Sequence, residues 1–199
     1  MGKIKIFDTL SKSEKVLDSK DEIRIYLCGV TVYDDSHIGH ARTIVVFDVL
    51  RRFIESKNVR VNFIQNFTDV DDKIIQKASE IGSSVGAVSK QYIDSYFDDF
   101  DKLNIKRATV HPKATEHIPE MINLISDLVT KDLAYETKNG VYFNVSKFPD
   151  YGKLSKKNVE DLESGARIEI DESKKSPLDF ALWKFSETCL LYTSDAADE

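Results

Sequence analysis

The chain has 199 residues, of which 41% are apolar and 31% are charged. This composition is that of a globular protein and excludes a disordered, collagen-like or disulfide-stapled chain. No apolar run approaches the roughly 20 residues that span a bilayer, and the N-terminus has no signal-peptide core. The two cysteines, Cys28 and Cys189, lie 161 residues apart. We therefore expect a cytoplasmic protein with reduced thiols and no membrane partner.

The net charge of −6 is unevenly distributed. Residues 1–112 carry 17 basic and 17 acidic side chains, whereas residues 188–199 carry three acidic and no basic ones. The body of the chain has no basic tract, which argues against tight, nonspecific nucleic-acid binding through bulk charge. A local nucleotide site remains compatible with this balance.

The first half of the chain has the pattern of a β-α-β unit. Residues 23–27 alternate and are rich in β-formers, and this predicted strand ends at Cys28-Gly29. Apolar residues then recur at helical spacing over about 38–57, with Ser36 or Asp35 as candidate N-cap, and residues 59–67 read as the next strand. Such a unit implies a parallel sheet.

Residues beyond 68 predict helices followed by a small subdomain. Helices are expected to begin at Thr68–Asp72, over 91–103 and over 113–133, with His111-Pro112 as a boundary. The last of these helices should bury its apolar face, namely Ile118, Met121, Ile122, Ile125, Leu128 and Val129. Asn139-Gly140 between apolar runs predicts a hairpin, residues 146–176 read as loops, and Pro177–Lys184 reads as a strand that packs one aromatic side chain.

His37-Ile38-Gly39-His40 lies at the predicted strand-to-helix turn. Backbone N–H groups at a helix N-terminus favour a phosphate, and Gly39 would let a nucleotide approach the backbone. Histidines three residues apart share a helix face, so both rings could donate to an α-phosphate as negative charge builds there. The alternative is that they are polar capping residues, but the β-α-β context favours the phosphate site.

Cys28 and the segment that begins at Thr68 follow adjacent predicted strands. The carboxyl edge of an open parallel sheet is where ligands bind, so Thr68 should line the same crevice as Cys28. Cys28 is either a buried apolar cysteine or a zinc thiolate, and one cysteine alone cannot make a metal site. Asp71 and Asp72 are interpreted as helix-capping acids, while Lys73 is either a site residue or part of a solvated face.

Together these stretches resemble the cysteinyl-tRNA synthetase family of class I aminoacyl-tRNA synthetases. The likeness runs in order over about residues 4–186. It takes in Ile4–Leu10, Tyr26–Asp34, His37–His40, Thr68–Lys77, Tyr151–Ser155, Gly165–Arg167 and Pro177–Lys184.

The resemblance implies ATP-dependent ligation of L-cysteine to tRNA(Cys) through cysteinyl-adenylate. It implies that His37 and His40 contact the phosphates and that Cys28 is a ligand of Zn²⁺. Gly29 and Thr68 match positions that contact the amino acid, and Thr31, Gly39 and Lys73 complete the implied substrate and ATP site. Mg²⁺ would accompany ATP. A zinc-bound thiolate is a bond that a serine hydroxyl cannot match, which allows selection of cysteine without editing.

The implied fold is α/β: the first half of a Rossmann-like nucleotide-binding fold with a parallel sheet, interrupted by an inserted α+β connective domain. We expect residues 1–112 to form the N-terminal half of the catalytic domain. Residues 113–187 should form the connective insertion and the start of the return to the catalytic fold. Residues 188–199, with Cys189, look like a non-native tail.

The resemblance also carries expectations about activity. The remaining zinc ligands and the Lys-Met-Ser-Lys-Ser loop are not found in this sequence. We therefore expect the 199-residue chain alone to be nearly inactive and to bind zinc poorly, and the full-length enzyme to be a monomer. Alternatives are a related cysteine ligase with an amino-sugar acceptor, or a truncated product that only binds nucleotide.

Overall fold

The computed structural model describes residues 4–17, 21–156 and 173–185. Predictions that concern residues 157–172, including Gly165–Arg167, and residues 188–199, including Cys189, lie outside the described residues. The described helices and strands, in chain order, are β1 (Lys5–Asp8), β2 (Ser13–Val16), β3 (Glu22–Thr31), α1 (Ile38–Glu55), β4 (Arg60–Thr68), α2 (Asp72–Ile81), α3 (Val85–Lys102), α4 (Ile118–Thr130), β5 (Ala134–Glu136), β6 (Gly140–Phe143) and β7 (Phe180–Lys184). No helix in the described ranges has the length and apolarity that a membrane span requires.

The chain divides into two compact units. The first unit comprises Met1–Ile4 and Leu17–Ile118, and the second comprises Lys5–Val16 and Pro119–Glu199. The first holds β3, α1, β4, α2 and α3, and the second holds the remaining strands.

The first unit is built on a parallel pair of strands. β3 and β4 pair in parallel from Glu22 opposite Arg60 to Thr31 opposite Thr68, with α1 as the crossover between them. Side chains alternate along β4, so that Phe63, Gln65 and Phe67 are buried. The predicted β-α-β unit and parallel sheet are confirmed, although β3 continues beyond its predicted end at Leu27.

The next two helices differ from their predicted bounds. α2 begins at Asp72 rather than Thr68, because Thr68 still belongs to β4 and the Asp71 carboxylate caps the helix by accepting from the Lys73 N–H. α3 begins at Val85, capped by Ser84, and not at Gln91. After α3 the backbone returns beside β4 and makes two parallel bridges, which join Val110 to Ile64 and Lys113 to Phe67. A third extended segment therefore lies along the free edge of β4.

Aromatic side chains form the centre of this unit. Phe67 is 1% exposed, lies edge-on to Tyr96 and Phe97, and stacks on the His111 ring with centroids 5.0 Å apart. His111 is held as a neutral ring, because its Nε2 accepts from the Ala108 N–H while its Nδ1 faces the Gln65 carbonyl at 3.0 Å. Nδ1 therefore donates to that carbonyl.

Burial lowers the pKa of His111 from its ordinary value of 6.5; the bond to the Gln65 carbonyl opposes this shift, and the charge of Arg107 adds to it. The folded state thus binds fewer protons than the unfolded state below that pH. We expect the free energy of unfolding to be unaffected by this group above pH 6.5 and to fall as the pH drops below it. Urea titrations at several pH values should show this dependence. It should be lost in His111→Gln and kept in His117→Gln, and an unchanged dependence in His111→Gln would contradict the assignment.

The second unit contains two antiparallel sheets. β1 and β2 form a hairpin that the sequence reading did not predict, and β5, β6 and β7 form a sheet in that order. The hairpin predicted around Asn139-Gly140 is confirmed, with the Thr137 N–H donating to the Gly140 carbonyl at 2.8 Å.

The prediction that α4 buries its apolar face is wrong for two of its residues. Ile122 and Val129 are exposed, and α4 has no fully buried residue in the part of the chain that the structure describes. Helical spacing identifies an apolar face, but it does not supply a surface that covers that face.

A buried carboxylate fixes the second unit. Asp179 is fully buried, and its carboxylate accepts from the Tyr135 hydroxyl at 2.7 Å, the Val145 N–H at 3.0 Å and the Ser176 N–H at 3.1 Å. These bonds join the segment before β7 to β5 and to the turn that follows β6. The arrangement also raises the pKa of Tyr135 to about 12, through burial and then through its bond to Asp179.

We expect Asp179→Asn to destabilise this unit by about 2 kcal/mol, because an amide that replaces the carboxylate offers one acceptor oxygen to three donors. Chemical denaturation monitored by tyrosine and tryptophan fluorescence measures the change. Asp150→Asn is the matched control, since Asp150 forms an exposed pair with Lys153 and should change stability by less than about 0.5 kcal/mol. Equal effects of the two substitutions would contradict this role.

Candidate functional site

The carboxyl ends of β3 and β4 form one edge of the parallel sheet. Thr31 lies opposite Thr68, and the Val32 N–H donates to the Thr68 carbonyl at 3.2 Å. Both threonines are half-buried. The two predicted site threonines are therefore brought together at the edge where parallel α/β sheets bind ligands.

Cys28 and Gly29 lie on β3 just before this edge. Cys28 is exposed, so it is not the buried apolar cysteine that was the alternative interpretation. The Gly29 N–H donates to the Asn66 side-chain oxygen at 2.7 Å. The pKa of Tyr26 is raised, first by burial and then by the neighbouring Cys28, which is two residues along the strand and so on the same face.

His37 and His40 form a reciprocal capping box at the start of α1. His37 Nδ1 accepts from the Gly39 N–H at 3.0 Å, and His40 Nδ1 accepts from the His37 N–H at 3.3 Å. The rings stack with centroids 3.8 Å apart. The predicted caps were Ser36 or Asp35, which is wrong. An imidazole nitrogen supplies the acceptor that the first turn of the helix needs.

This capping geometry fixes which nitrogens can donate. Because Nδ1 accepts in both rings, the proton of each neutral imidazole is on Nε2. Burial, and then the adjacent His37, lowers the pKa of His40, which favours the neutral ring. The cap and the donor roles are therefore compatible: each ring uses one nitrogen to hold the helix and keeps an N–H on the other.

The sequence suggested that Gly39 lets a nucleotide approach the backbone, but in the structure the His37 ring lies next to it. A Cβ at Gly39 would lie 2.7 Å from Cε1 of His37, and the Gly39 N–H already donates to that ring. The absence of a side chain makes room for His37 to fold back over the helix start. α1 has no acidic residue in its first turn, so the positive end of its dipole is not neutralised there.

Two side chains tie the loop between β3 and α1 to the later helices. The Lys73 ammonium lies 5.5 Å from the centre of the Tyr33 ring, and the Ser95 hydroxyl donates to the Asp35 carboxylate at 2.7 Å. Lys73 is thus directed toward this loop and is not simply part of a solvated face. The loop that carries the histidines is held from both α2 and α3.

Two residues of this region, Asn66 and Asp69, make contacts that the sequence did not predict. Asn66 binds the backbone of Gly29. Asp69, which is buried, accepts from the Thr115 N–H at 3.0 Å and from its hydroxyl at 2.5 Å. Asp69 is therefore not a first-turn acid of α2. The sequence offers no local signal for either contact, because Asn66 lies on the face of β4 opposite the buried Gln65 and Phe67, and the partner of Asp69 is 46 residues further along the chain.

A zinc centre needs about four ligands. Within the ranges 4–17, 21–156 and 173–185, no three His, Cys, Asp or Glu side chains cluster in a way that could hold a metal ion. Cys28 is a single candidate thiolate, and the described residues by themselves do not fit a zinc site.

The sequence matches the family described as tRNA synthetases class I (C) catalytic domain over residues 14–194. Among curated proteins it is 53% identical over 190 residues to a "Cysteine--tRNA ligase" of Thermodesulfovibrio yellowstonii, which covers 92% of this chain and 39% of that protein. It is 52% identical over 184 residues to a "Cysteine--tRNA ligase" of Methanococcus maripaludis, covering 91% of this chain and 38% of the relative. The chain thus spans about two fifths of the length of these relatives.

Two solved structures share the fold. A methionyl-tRNA synthetase of Mycobacterium tuberculosis in complex with methionyl-adenylate superposes with a TM-score of 0.55 at 18% identity, covering 64% of this chain and 25% of that one. A LeuRS of Agrobacterium radiobacter K84, in a ternary complex with tRNA and LeuAMS, gives 0.53 at 18% identity, covering 66% of this chain and 18% of that one.

Proposed function

The chain belongs to the family of class I (C) tRNA synthetase catalytic domains, and from this premise we propose that it supplies the adenylate-forming half-site of an enzyme that ligates L-cysteine to tRNA(Cys). In this reaction a carboxylate oxygen of cysteine attacks the α-phosphorus of ATP. The bond to the bridging oxygen breaks, pyrophosphate leaves, and cysteinyl-adenylate forms. The terminal adenosine hydroxyl of the tRNA then displaces AMP from the activated carbonyl.

The paired histidines are the observation that carries this proposal. Their Nε2–H groups are preset as donors by the capping box, at the positive end of a helix that follows a parallel strand. Donors fixed before the reaction stabilise charge on the α-phosphate oxygens without reorganisation. We assign His37 and His40 this role.

The remaining site residues surround the same sheet edge. Thr31 and Thr68 lie in register at the strand ends, and Lys73 is directed toward the loop before α1. We assign Gly29 and Thr68 to the bound cysteine, and Thr31, Gly39 and Lys73 to ATP. The amino-acid side of the site then lies along β3 and the phosphate side at the start of α1.

Metal ions enter this proposal in a limited way. Cys28 is exposed and is proposed as one thiolate ligand of Zn²⁺, with the other ligands outside the described residues. The chemistry that a bound Zn²⁺ would supply is coordination of a thiolate, which a serine hydroxyl cannot match. Mg²⁺ is proposed to arrive with the phosphates of ATP.

The domain division is likewise a proposal. We assign residues 1–112 to the first half of the nucleotide-binding fold and residues 113–187 to a connective insertion with the start of the return. The change in topology supports this division, since β3 and β4 are parallel whereas β5, β6 and β7 are antiparallel.

The test is binding of a sulfamoyl analogue of cysteinyl-adenylate to the 199-residue chain, followed by thermal unfolding. At about 100 times its Kd, a ligand that binds only the folded state raises stability by about 2.7 kcal/mol and so raises the Tm. The matched control is the methionyl analogue, which should bind more weakly. A chain that unfolds cooperatively yet shows no shift with the cysteinyl analogue would contradict the proposed function.

A further inference from the structure

The pairing of β3 with β4 is interrupted at the candidate amino-acid site. Leu27 lies opposite Gln65 and Val30 lies opposite Phe67, so two residues of β3, Cys28 and Gly29, oppose the single residue Asn66. This is the two-against-one arrangement of a β-bulge. A bulge takes one residue out of the ladder and redirects its side chains, and bulges are frequent beside active sites.

The Asn66 side chain takes over the hydrogen bonding of the bulge. Its Oδ1 accepts from the Gly29 N–H at 2.7 Å and from the Tyr26 hydroxyl at 3.0 Å. Tyr26, Cys28 and Asn66 alternate with the buried Leu27 and Gln65, so they lie on one face of the sheet. One amide oxygen therefore joins the residues on either side of Cys28.

The backbone at this point is also close-packed. A Cβ at Gly29 would lie 1.5 Å from the Asn66 carbonyl oxygen and 3.0 Å from its Oδ1. Gly29 is thus held against both the main chain and the side chain of Asn66. The direction of Cys28 depends on this clamp, because Cys28 lies between the two bonded positions.

We propose that Asn66 is a positioning residue that holds the Cys28-Gly29 bulge and thereby sets how the site receives the side chain of the amino acid. The proposal rests on the proposed function, in which Gly29 contacts the bound cysteine and Cys28 is a thiolate ligand of Zn²⁺. Asn66 acts through its acceptor oxygen, since both of its described partners are donors. An aspartate at position 66 preserves that acceptor, and an alanine removes it.

The chain offers a matched control in Asn62. It is the same residue type on the same strand, and it faces Arg24 where the pairing is regular. The Asn62 Oδ1 is buried and has no hydrogen-bond partner among the described residues, so it clamps nothing. Asn62→Ala changes an asparagine of β4 without touching the bulge.

The first measurement is amide hydrogen exchange of Gly29, followed by NMR in the 199-residue chain. In Asn66→Ala we expect the exchange rate to rise about tenfold, the factor that corresponds to losing one typical hydrogen bond. Asn66→Asp, Asn62→Ala and Tyr26→Phe should stay within about threefold of the unsubstituted chain. An unchanged Gly29 rate in Asn66→Ala, or an Asn66→Asp variant that exchanges as fast as Asn66→Ala, would overturn the proposal.

The second measurement separates positioning from general loss of structure. Asn66→Ala should weaken binding of the cysteinyl-adenylate sulfamoyl analogue about tenfold, while the affinity for ATP stays within about twofold. Asn66→Asp should bind the analogue with the affinity of the unsubstituted chain. Equal losses for both ligands would overturn the specificity role. If the unsubstituted chain binds ATP but not the analogue, the proposed function and this role fall together, while the exchange data still decide whether Asn66 holds the bulge.

Discussion

Replacing Gly29 by alanine should destabilise the first unit by about 3 kcal/mol or more and abolish binding of the adenylate analogue. The reason is that the added methyl group would clash with the paired strand. Its Cβ would be 1.5 Å from the Asn66 carbonyl oxygen, and this oxygen belongs to the backbone of the paired strand. A flexible side chain could move aside, but a strand can yield only by giving up its pairing. The resulting distortion of β3 would lie between Cys28 and Thr31, at the candidate site.

Urea denaturation and analogue binding measure this result together. Gly86→Ala is the matched control, because a Cβ there meets nothing within 4 Å, and alanine is favoured over glycine inside a helix by about 1 kcal/mol. Gly86→Ala should therefore be neutral or stabilising and should bind the analogue normally. A Gly29→Ala variant with ordinary stability would show that the bulge is not the close-packed clamp described above.

Replacing His37 or His40 should slow adenylate formation by about 10²–10³-fold, the usual cost of removing one preset donor from a site of developing charge. The measurement is cysteine-dependent exchange of pyrophosphate into ATP by the full-length enzyme that carries this sequence. Simple His→Ala changes remove the cap and the donor at once, so the informative variant is His37→Asn. Asparagine is a good N-cap but has no group in the place of the Nε2–H.

We expect His37→Asn to have a Tm near that of the unsubstituted protein but to exchange pyrophosphate about 10²–10³-fold more slowly. His117→Ala is the control for loss of an exposed histidine and should leave the rate unchanged. If His37→Asn exchanges pyrophosphate normally, the ring serves only as a helix cap and the phosphate role is wrong.

The sequence alone was sufficient to identify the family and to predict the parallel β-α-β unit and the two strands that carry the site. Strand alternation at residues 23–27, the helical spacing that follows and the Asn139-Gly140 turn are local signals, since each depends on residues close in the chain. The in-order likeness over about residues 4–186 then pointed to the family, which the match over residues 14–194 confirms.

Other features depended on contacts between residues far apart in the chain, and only the tertiary structure decided them. The extended segment beside β4 and the exposure of Ile122 and Val129 belong to this group. So do the bond of Asp69 to Thr115 and the three donors around Asp179. A local pattern indicates whether a segment favours a helix or a strand. The partner that satisfies a buried polar group or covers an apolar face is supplied by residues distant in the chain.

The site shows the same division at closer range. The sequence determined that two histidines stand at a strand-to-helix turn and that Cys28-Gly29 precedes it, since spacing along the chain fixes both. The tertiary structure decided which ring nitrogens accept, and it placed one asparagine of β4 opposite two residues of β3. The acceptor roles of the ring nitrogens depend on the backbone conformation at the start of α1, a local contact that the residue pattern did not predict. The register between strands is set by the packing of the whole unit, which no stretch of sequence specifies by itself.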